Sequence, residues 1–587
     1  SSRMSAENRQ LNGAHPWHAT AIIALLALPW LNPFNDGPTP SVPPLLVSWT
    51  CAALLLLLPS AATQPGRSAP DLAILSRLGA IGGLIALAAW IAGQDAGLQT
   101  TDTLALGMGL LAVLACALRF ANADEHTAIL VARAWLAAGL VSALMGWLQY
   151  TGNAAALSPW VGNANLGEAF ANLRQRNLYA SLTSISLCAL LWLARCDPWF
   201  ERSAVRVVLP AALLAAGNAL SHSRTGLFEL LLILALAGIW GLYREREARW
   251  ALLPVLPAYL LAALVLPRLF SAFALPGIFT RLAEGAPSCS SRSTLWSNVL
   301  TLIAEKPWTG WGWGQLDQAH YQTLYDGARF CDILDNAHNL PLHLAVELGL
   351  PLALGLCGLV LWAVWRAAPW REGDPMRQLA WAVLAVIALH SLLEYPLWYG
   401  PFQMTLGICL GLLWTVHRRR PAMNFGTASA AATTAELGAA GRSPAATALR
   451  VALASALLVG VTLTALDYRA ISQIYLPPEQ RAAAFRDDTL GKVRQVWLFG
   501  PQALFAELTL TPLTAENAEW TYATARQLLA FSPEPRVAEK LIESAVMLGR
   551  NDEALAQLLR YRAAFPADHA RWAAELKPVP VLAASGG

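Results

Sequence analysis

Arg174 and Arg176 in ANLRQRNLYAS, Arg224 in SHSRTG and Arg292 in SSRSTLW are cations set among small and polar residues in an otherwise greasy chain. A guanidinium is a planar fork of donors that grips phosphate oxygens two at a time, so several forks together can hold a diphosphate without a metal. His338, just after Asp332 and Asp335 in LDNAHNLPLHLAVELGLP, adds a group that can serve as base, acid or hydrogen-bond donor near neutral pH. Each of these residues also has a plainer reading. An arginine can snorkel to lipid headgroups or pair with Glu168, Glu284, Glu347 or Glu394. His343 precedes Glu347 by one helical turn and can be a packed or paired helix residue. His390, with Glu394 at i+4 in HSLLEYPLWY, is an ionisable pair that is either structural or lines the site as an acceptor contact.

Other chemistries lack their residues. The chain carries no His-Glu-x-x-His, Asp-x-Asp or Cys-x-x-Cys spacing for a metal, so no cofactor is expected, and no Gly-x-Ser-x-Gly elbow marks a serine hydrolase. The formal charge of +3, without a basic or aromatic-interleaved patch, gives no sign of a nucleic-acid partner.

The elements that must position these groups are membrane helices. Of 587 residues 56% are hydrophobic and 13% charged, against roughly 25% charged in a soluble domain. The apolar residues arrive as long blocks rather than alternating strands, which predicts an all-α polytopic protein and excludes a barrel. Thirteen spans are expected, at 18–34, 43–60, 72–93, 103–119, 127–149, 177–195, 204–221, 226–243, 250–267, 339–365, 377–397, 400–416 and 449–467. The first block has no small-residue cleavage site behind it and reads as a retained helix. Arginines follow the even-numbered spans: Arg67 and Arg77, Arg119 and Arg133, Arg195, Arg202 and Arg206, Arg244, Arg246 and Arg249, Arg366, Arg371 and Arg377, and Arg418 to Arg420. Those exits and residues 1–17 are therefore expected in the cytoplasm, while odd exits, several carrying Asp (Asp36, Asp95, Asp102), face outward. Every candidate residue named above then falls at the outward side.

Two further segments follow from this parity. Residues 268–338 form a large outward loop between spans 1–9 (18–267) and spans 10–12 (339–416), and it contains Cys289 and Cys331. An oxidising outward side favours a disulfide between them, and two free thiols are the alternative. Residues 417–448, rich in Ala, Thr, Ser and Gly, read as a flexible inward linker before the span at 449–467. Residues 468–587 are charged and helical, and AEKLIESAVMLGRNDEALAQLLRYRAAFPADH (538–569) resembles a tetratricopeptide helix pair that packs on the outward domain.

The ordered set SHSRTGLFELLL (221–232), SSRSTLW (290–296), PWTGWGWGQL (307–316) and DNAHNLPLHLAVELGLPLAL (335–354) resembles the O-antigen ligase and protein O-oligosaccharyltransferase superfamily, which also holds the O-antigen polymerases. The resemblance covers most of the membrane region. It implies a fold similar to other polytopic (GT-C-like) glycosyltransferases, placed in a Gram-negative inner membrane with the active site on the periplasmic side. It implies an undecaprenyl-diphosphate-linked glycan as donor and no divalent metal. Carried over by position, Arg224 and Arg292 match the family's essential arginines, His338 its loop histidine, and Arg176 less firmly a donor-binding cation. The expected reaction is inverting transfer to a sugar of the lipid A core, as in a ligase. Alternatives are transfer to a serine of a pilin-like protein, polymerisation of O-antigen units and, in a different class, a polytopic transporter. Charges gathered at one face and no evident internal repeat favour the enzyme over the transporter.

Overall fold

The computed structural model describes residues 16–35, 37–59, 70–93, 100–121, 123–269, 288–414 and 444–575, and among these every regular element is helical. Asp36, Arg67, Asp95, Glu284, Arg418 to Arg420 and most of the expected linker at 417–448 lie outside the described residues. An α-helix occupies each of the thirteen apolar stretches. In chain order these are α1 (Pro16–Leu31), α2 (Val42–Leu57), α3 (Pro70–Gly93), α4 (Thr100–Phe120), α5 (Glu125–Tyr150), α6 (Arg176–Cys196), α7 (Ala204–Leu220) and α8 (Arg224–Ile239). They continue with α9 (Arg246–Leu252) and α10 (Val255–Leu269), then α11 (Arg292–Glu305) and α12 (Leu316–Gln322) in the large loop. The rest of the membrane part is α13 (Leu340–Leu348), α14 (Leu350–Ala367), α15 (Pro375–Ser391), α16 (Gly400–Trp414) and α17 (Pro444–Ser472). Among the described residues seven helices are long and apolar enough to cross a bilayer, and four shorter apolar helices accompany them. The protein is thus an all-α, multi-pass membrane protein.

At the centre stands α6. Every residue from Leu178 to Ala194 is buried, and the helix packs against α5, α7, α8, α9 and α15. Small residues allow that closeness, because lipid offers helices no hydrophobic reward for associating and tight backbone approach must supply the contact. A Cβ on Gly226 of α8, for example, would sit 2.6 Å from the Ala180 side chain of α6.

The expected tenth span differs from the sequence expectation. It breaks at Gly349 into α13 and α14, so His343 and Glu347 stand on a separate short helix. Gly349 takes φ +85, and Pro351, which cannot donate a backbone hydrogen bond, follows within the next turn. The break is also a packing site. PWTGWGWGQL folds onto it, with Trp311 N–H donating to Val346 O (2.8 Å), Gly312 N–H to Glu347 O (3.0 Å) and Leu350 N–H to Pro307 O (2.8 Å). A side chain at Gly349 would strike Trp308 O at 2.3 Å, so the glycine serves both the turn and the contact. Another difference lies in α15, which ends at Ser391 rather than 397; Pro396 is disfavoured as a helical continuation and a 3-10 turn forms at Pro396–Trp398.

Beyond α17 come α18 (Gly500–Leu510), α19 (Ala518–Leu528), α20 (Pro535–Met547), α21 (Asn551–Ala564) and α22 (Pro566–Glu575). Their apolar faces share one core, built from Leu528, Val537, Leu541, Ala545 and Tyr561. Tyr321 of α12 belongs to that core and faces Phe565 at 6.3 Å, so these helices pack on the large loop.

Candidate active site

Asn177 begins α6 and Arg195 ends it, about 27 Å away at 1.5 Å per residue. The Asn177 end collects the polar residues of interest. Glu394 lies three residues past the end of α15, its side chain 7% exposed. Its Oε2 accepts from His338 Nδ1 at 2.6 Å, and its Oε1 accepts from the Arg292 guanidinium and from Asn177 Nδ2 at 3.2 Å. Asn177 Oδ1 in turn accepts from Ser223 Oγ at 2.7 Å, and the same hydroxyl caps α8 by accepting from Gly226 N–H at 3.0 Å. One carboxylate therefore joins the starts of α6 and α11, the His338 loop and the end of α15, and through Asn177 it reaches the α7–α8 turn.

Local sequence explains each placement. Ser291 caps α11 by accepting from Thr294 N–H, which makes Arg292 its first residue and leaves the guanidinium 39% exposed. The adjoining strip is tied down, because Cys289 and Cys331 form a disulfide with Cα atoms 5.3 Å apart and Cys331 N–H donates to Cys289 O at 3.2 Å. His338 has φ +50, a left-handed backbone uncommon outside glycine, and Asn336 Oδ1 accepts from its N–H at 2.9 Å. Asn339 then caps α13 and donates to Leu392 O at 3.0 Å, fastening the histidine loop to the end of α15. Tyr395 meets the imidazole edge-on at 4.9 Å.

Burial pushes the Glu394 carboxyl up, but the hydrogen bond and charge of His338, with Arg292 and His390, outweigh it and hold the group below its usual range. An ionised Glu394 accepts a proton-bearing Nδ1 from His338, which leaves Nε2 as the basic nitrogen. That is the orienting logic of a base held in one tautomer by a buried carboxylate.

The remaining candidates divide. Arg224 is the first residue of α8, next to Ser223, and its exposed side chain makes no ion pair among the described residues. Arg174, at φ +57, is likewise exposed at the mouth of the cluster, while Arg176 pairs with Glu168 at 3.6 Å. His343 and His390 stand apart. His343 is buried against Glu347 at 3.3 Å and edge-on to Trp398 at 5.0 Å, and Glu347 Oε2 also accepts from Gly314 N–H at 2.9 Å. It thus anchors the Trp-Gly loop beneath His338. His390 turns inward to Ser181 Oγ at 2.7 Å, so the side chains of the expected i+4 pair face different partners. Sequence reasoning did not single out Asn177, Ser223 or His222; the available signal was their position directly beside Arg176 and Arg224 in two polar motifs.

These features define a class: an all-helical, multi-pass membrane protein with a carboxylate–histidine pair and unneutralised arginines gathered at one end of the bundle. Three family models match the chain, "Protein glycosylation ligase" over residues 169–194, "O-Antigen ligase" over 209–357 and "Virulence factor membrane-bound polymerase, C-terminal" over 378–579. Each contributes a different wall of the site: Arg174 to Asn177, then Arg224, Arg292 and His338, then Glu394. A general O-oligosaccharyltransferase of Acinetobacter baylyi is 27% identical over 330 residues, 52% of this chain and 54% of the relative. A ComP-specific O-oligosaccharyltransferase of the same species is 27% identical over 253 residues, 42% of this chain and 44% of the relative. The chain spans about half the length of the curated relatives it matches. Along these segments the chain is similar to the O-antigen ligase and O-oligosaccharyltransferase superfamily.

Proposed function

We propose that the protein transfers a glycan from undecaprenyl diphosphate to a hydroxyl group on the periplasmic face of a bacterial inner membrane. The acceptor is a serine or threonine of a protein. The observation that carries the transfer is His338 Nδ1 held 2.6 Å from a buried carboxylate that also holds Arg292. In one displacement the acceptor oxygen bonds to the anomeric carbon, the bond from that carbon to the diphosphate oxygen breaks, and configuration inverts. His338 Nε2 takes the hydroxyl proton, and the electron pair leaves with undecaprenyl diphosphate. Charge grows on the diphosphate as that bond breaks, so Arg224, Arg174 and the free donors of Arg292 stabilise the transition state more than the ground state. Arg292 has five N–H donors and spends few of them on Glu394.

Sequence alone leaned toward a lipid A-core acceptor. The names of both relatives and the glycosylation-ligase match at 169–194 support a protein acceptor instead. The ligase reading stays second, favoured by the match over 209–357. Purified full-length protein, given a labelled lipid-linked glycan with pilin-like protein or core lipid A, with and without chelator, is expected to label the protein in both conditions. Label on core lipid A alone selects the ligase, and label on neither removes glycan transfer from consideration.

A further inference from the structure

Behind the Glu394 cluster lies a second concavity that the transfer chemistry does not use. Gly167, Glu168, Phe170, Arg176, Ser221 and His222 line it. His222 is its most unusual member. Only 7% exposed, it has no hydrogen bond on either ring nitrogen among the described residues. Buried polar atoms are almost always bonded, so a buried imidazole with two idle nitrogens on a cavity wall is arranged for a ligand. Its backbone is strained as well, with φ +52 in a residue other than glycine, a conformation that persists where the surroundings hold it.

We infer that this concavity, with room for one hydroxyl rather than a whole ring, receives a hydroxyl of the donor sugar nearest the diphosphate, hydrogen-bonded by His222. The inference rests on the glycan-transfer reading above. Position supports it, since His222 adjoins Ser223 and Arg176 adjoins Asn177, and Ser223 and Asn177 lead to Glu394. His222 and Arg176 are thus sequence neighbours of the two residues that carry the hydrogen-bond chain to Glu394. Chemistry selects sugar over phosphate. Burial lowers the His222 pKa and keeps the ring neutral near pH 7, with one donor and one acceptor, which complements a hydroxyl. A phosphate offers acceptors alone, and on this wall Arg176 is already paired with Glu168 at 3.6 Å, which leaves no net positive charge to draw one in. Phe170 adds apolar surface to the wall, and the buried Tyr150 ring backs His222 at 6.0 Å. The exposed Arg224 and Arg174 remain for the diphosphate.

The test measures binding of two probes, a polyprenyl-diphosphate-linked oligosaccharide and the same polyprenyl diphosphate without sugar, to full-length wild type, His222→Asn and His222→Gln. Asparagine tolerates the left-handed backbone but is too short to reach, so strain is not the variable. The expected result is a roughly ten-fold weaker affinity of His222→Asn for the glycosylated probe, the size of one lost hydrogen-bond pair. Affinity for the bare lipid should change less than about two-fold. His222→Gln should fall between. Equal losses on both probes would reassign the cavity to phosphate, and no loss on either would remove His222 as a ligand. If wild type discriminates the two probes through His222 yet glycosylates no acceptor, the transfer reading falls and the sugar site stands.

Discussion

The two ends of α6 hold their best-placed cations differently. At the Arg195 end, three arginines each have a carboxylate: Arg195 pairs with Glu245 at 2.5 Å, Arg133 with Asp197 at 2.7 Å and Arg377 with Glu372 at 2.7 Å. Arg195 also donates to Gln378 at 2.9 Å, which locks α6 to α15. At the Asn177 end, Arg292 and His338 share the single carboxylate of Glu394, and Arg224 and Arg174 have no ion pair among the described residues. Paired cations staple helices. Cations in excess of carboxylates create a field that attracts anions, which is what the proposed diphosphate contact requires.

The contrast breaks first at His338. His338→Ala should lower transfer by at least about 10³-fold with fold and protein level unchanged, because proton transfer and positioning are lost together. Retained transfer in labelled-donor assays would take the histidine out of the reaction. Arg224→Lys should follow with on the order of 10²-fold lower kcat, since an ammonium cannot grip two phosphate oxygens, while the melting temperature in detergent stays put. Glu394→Gln should cut kcat by a comparable factor and add a pH signature. The carboxyl is held below its usual value, so its stabilising contribution is complete above about pH 4.3 and is lost as pH falls through the lower folded value. The stability gap between wild type and Glu394→Gln should therefore be flat from pH 7 to 5 and close in stronger acid, in thermal melts. Removing the disulfide that closes a 42-residue separation, by Cys289→Ser with Cys331→Ser, should cost about 2–4 kcal/mol of stability and weaken transfer through a looser Arg292 strip. The smallest effect on transfer belongs to the other end, where Arg133→Ala leaves the buried Asp197 carboxylate without its cation and should cost on the order of 1–3 kcal/mol of stability while kcat does not measurably change.

Much of the fold was legible because a bilayer imposes it. A backbone crossing hydrocarbon must satisfy its own hydrogen bonds, so each long apolar block could only be a helix, and each of the thirteen blocks contains one. The break at Gly349 was less legible. Gly-Leu-Pro permits a break without requiring it, and the requirement comes from the Trp-Gly loop, forty residues earlier, which packs into it. The close of α15 six residues early has the same character: local sequence allowed either length, and the contact of Asn339 with Leu392 belongs to the shorter one.

For the site, sequence by itself determined the inventory. Residue type fixes what Arg174, Arg176, Arg224, Arg292 and His338 can do, and the alternation of charge along the chain sorts them to one end, because hydropathy and arginine placement are local properties. Tertiary structure decided who meets whom. Glu394 ranked no higher than His390 as a string of letters, yet its side chain closes on His338 and Arg292 while His390 turns away to Ser181. His222 meets the 167–170 loop and Arg176 only in the fold. Those outcomes depend on distances between residues 50 to 220 positions apart, which packing sets and which no local pattern encodes.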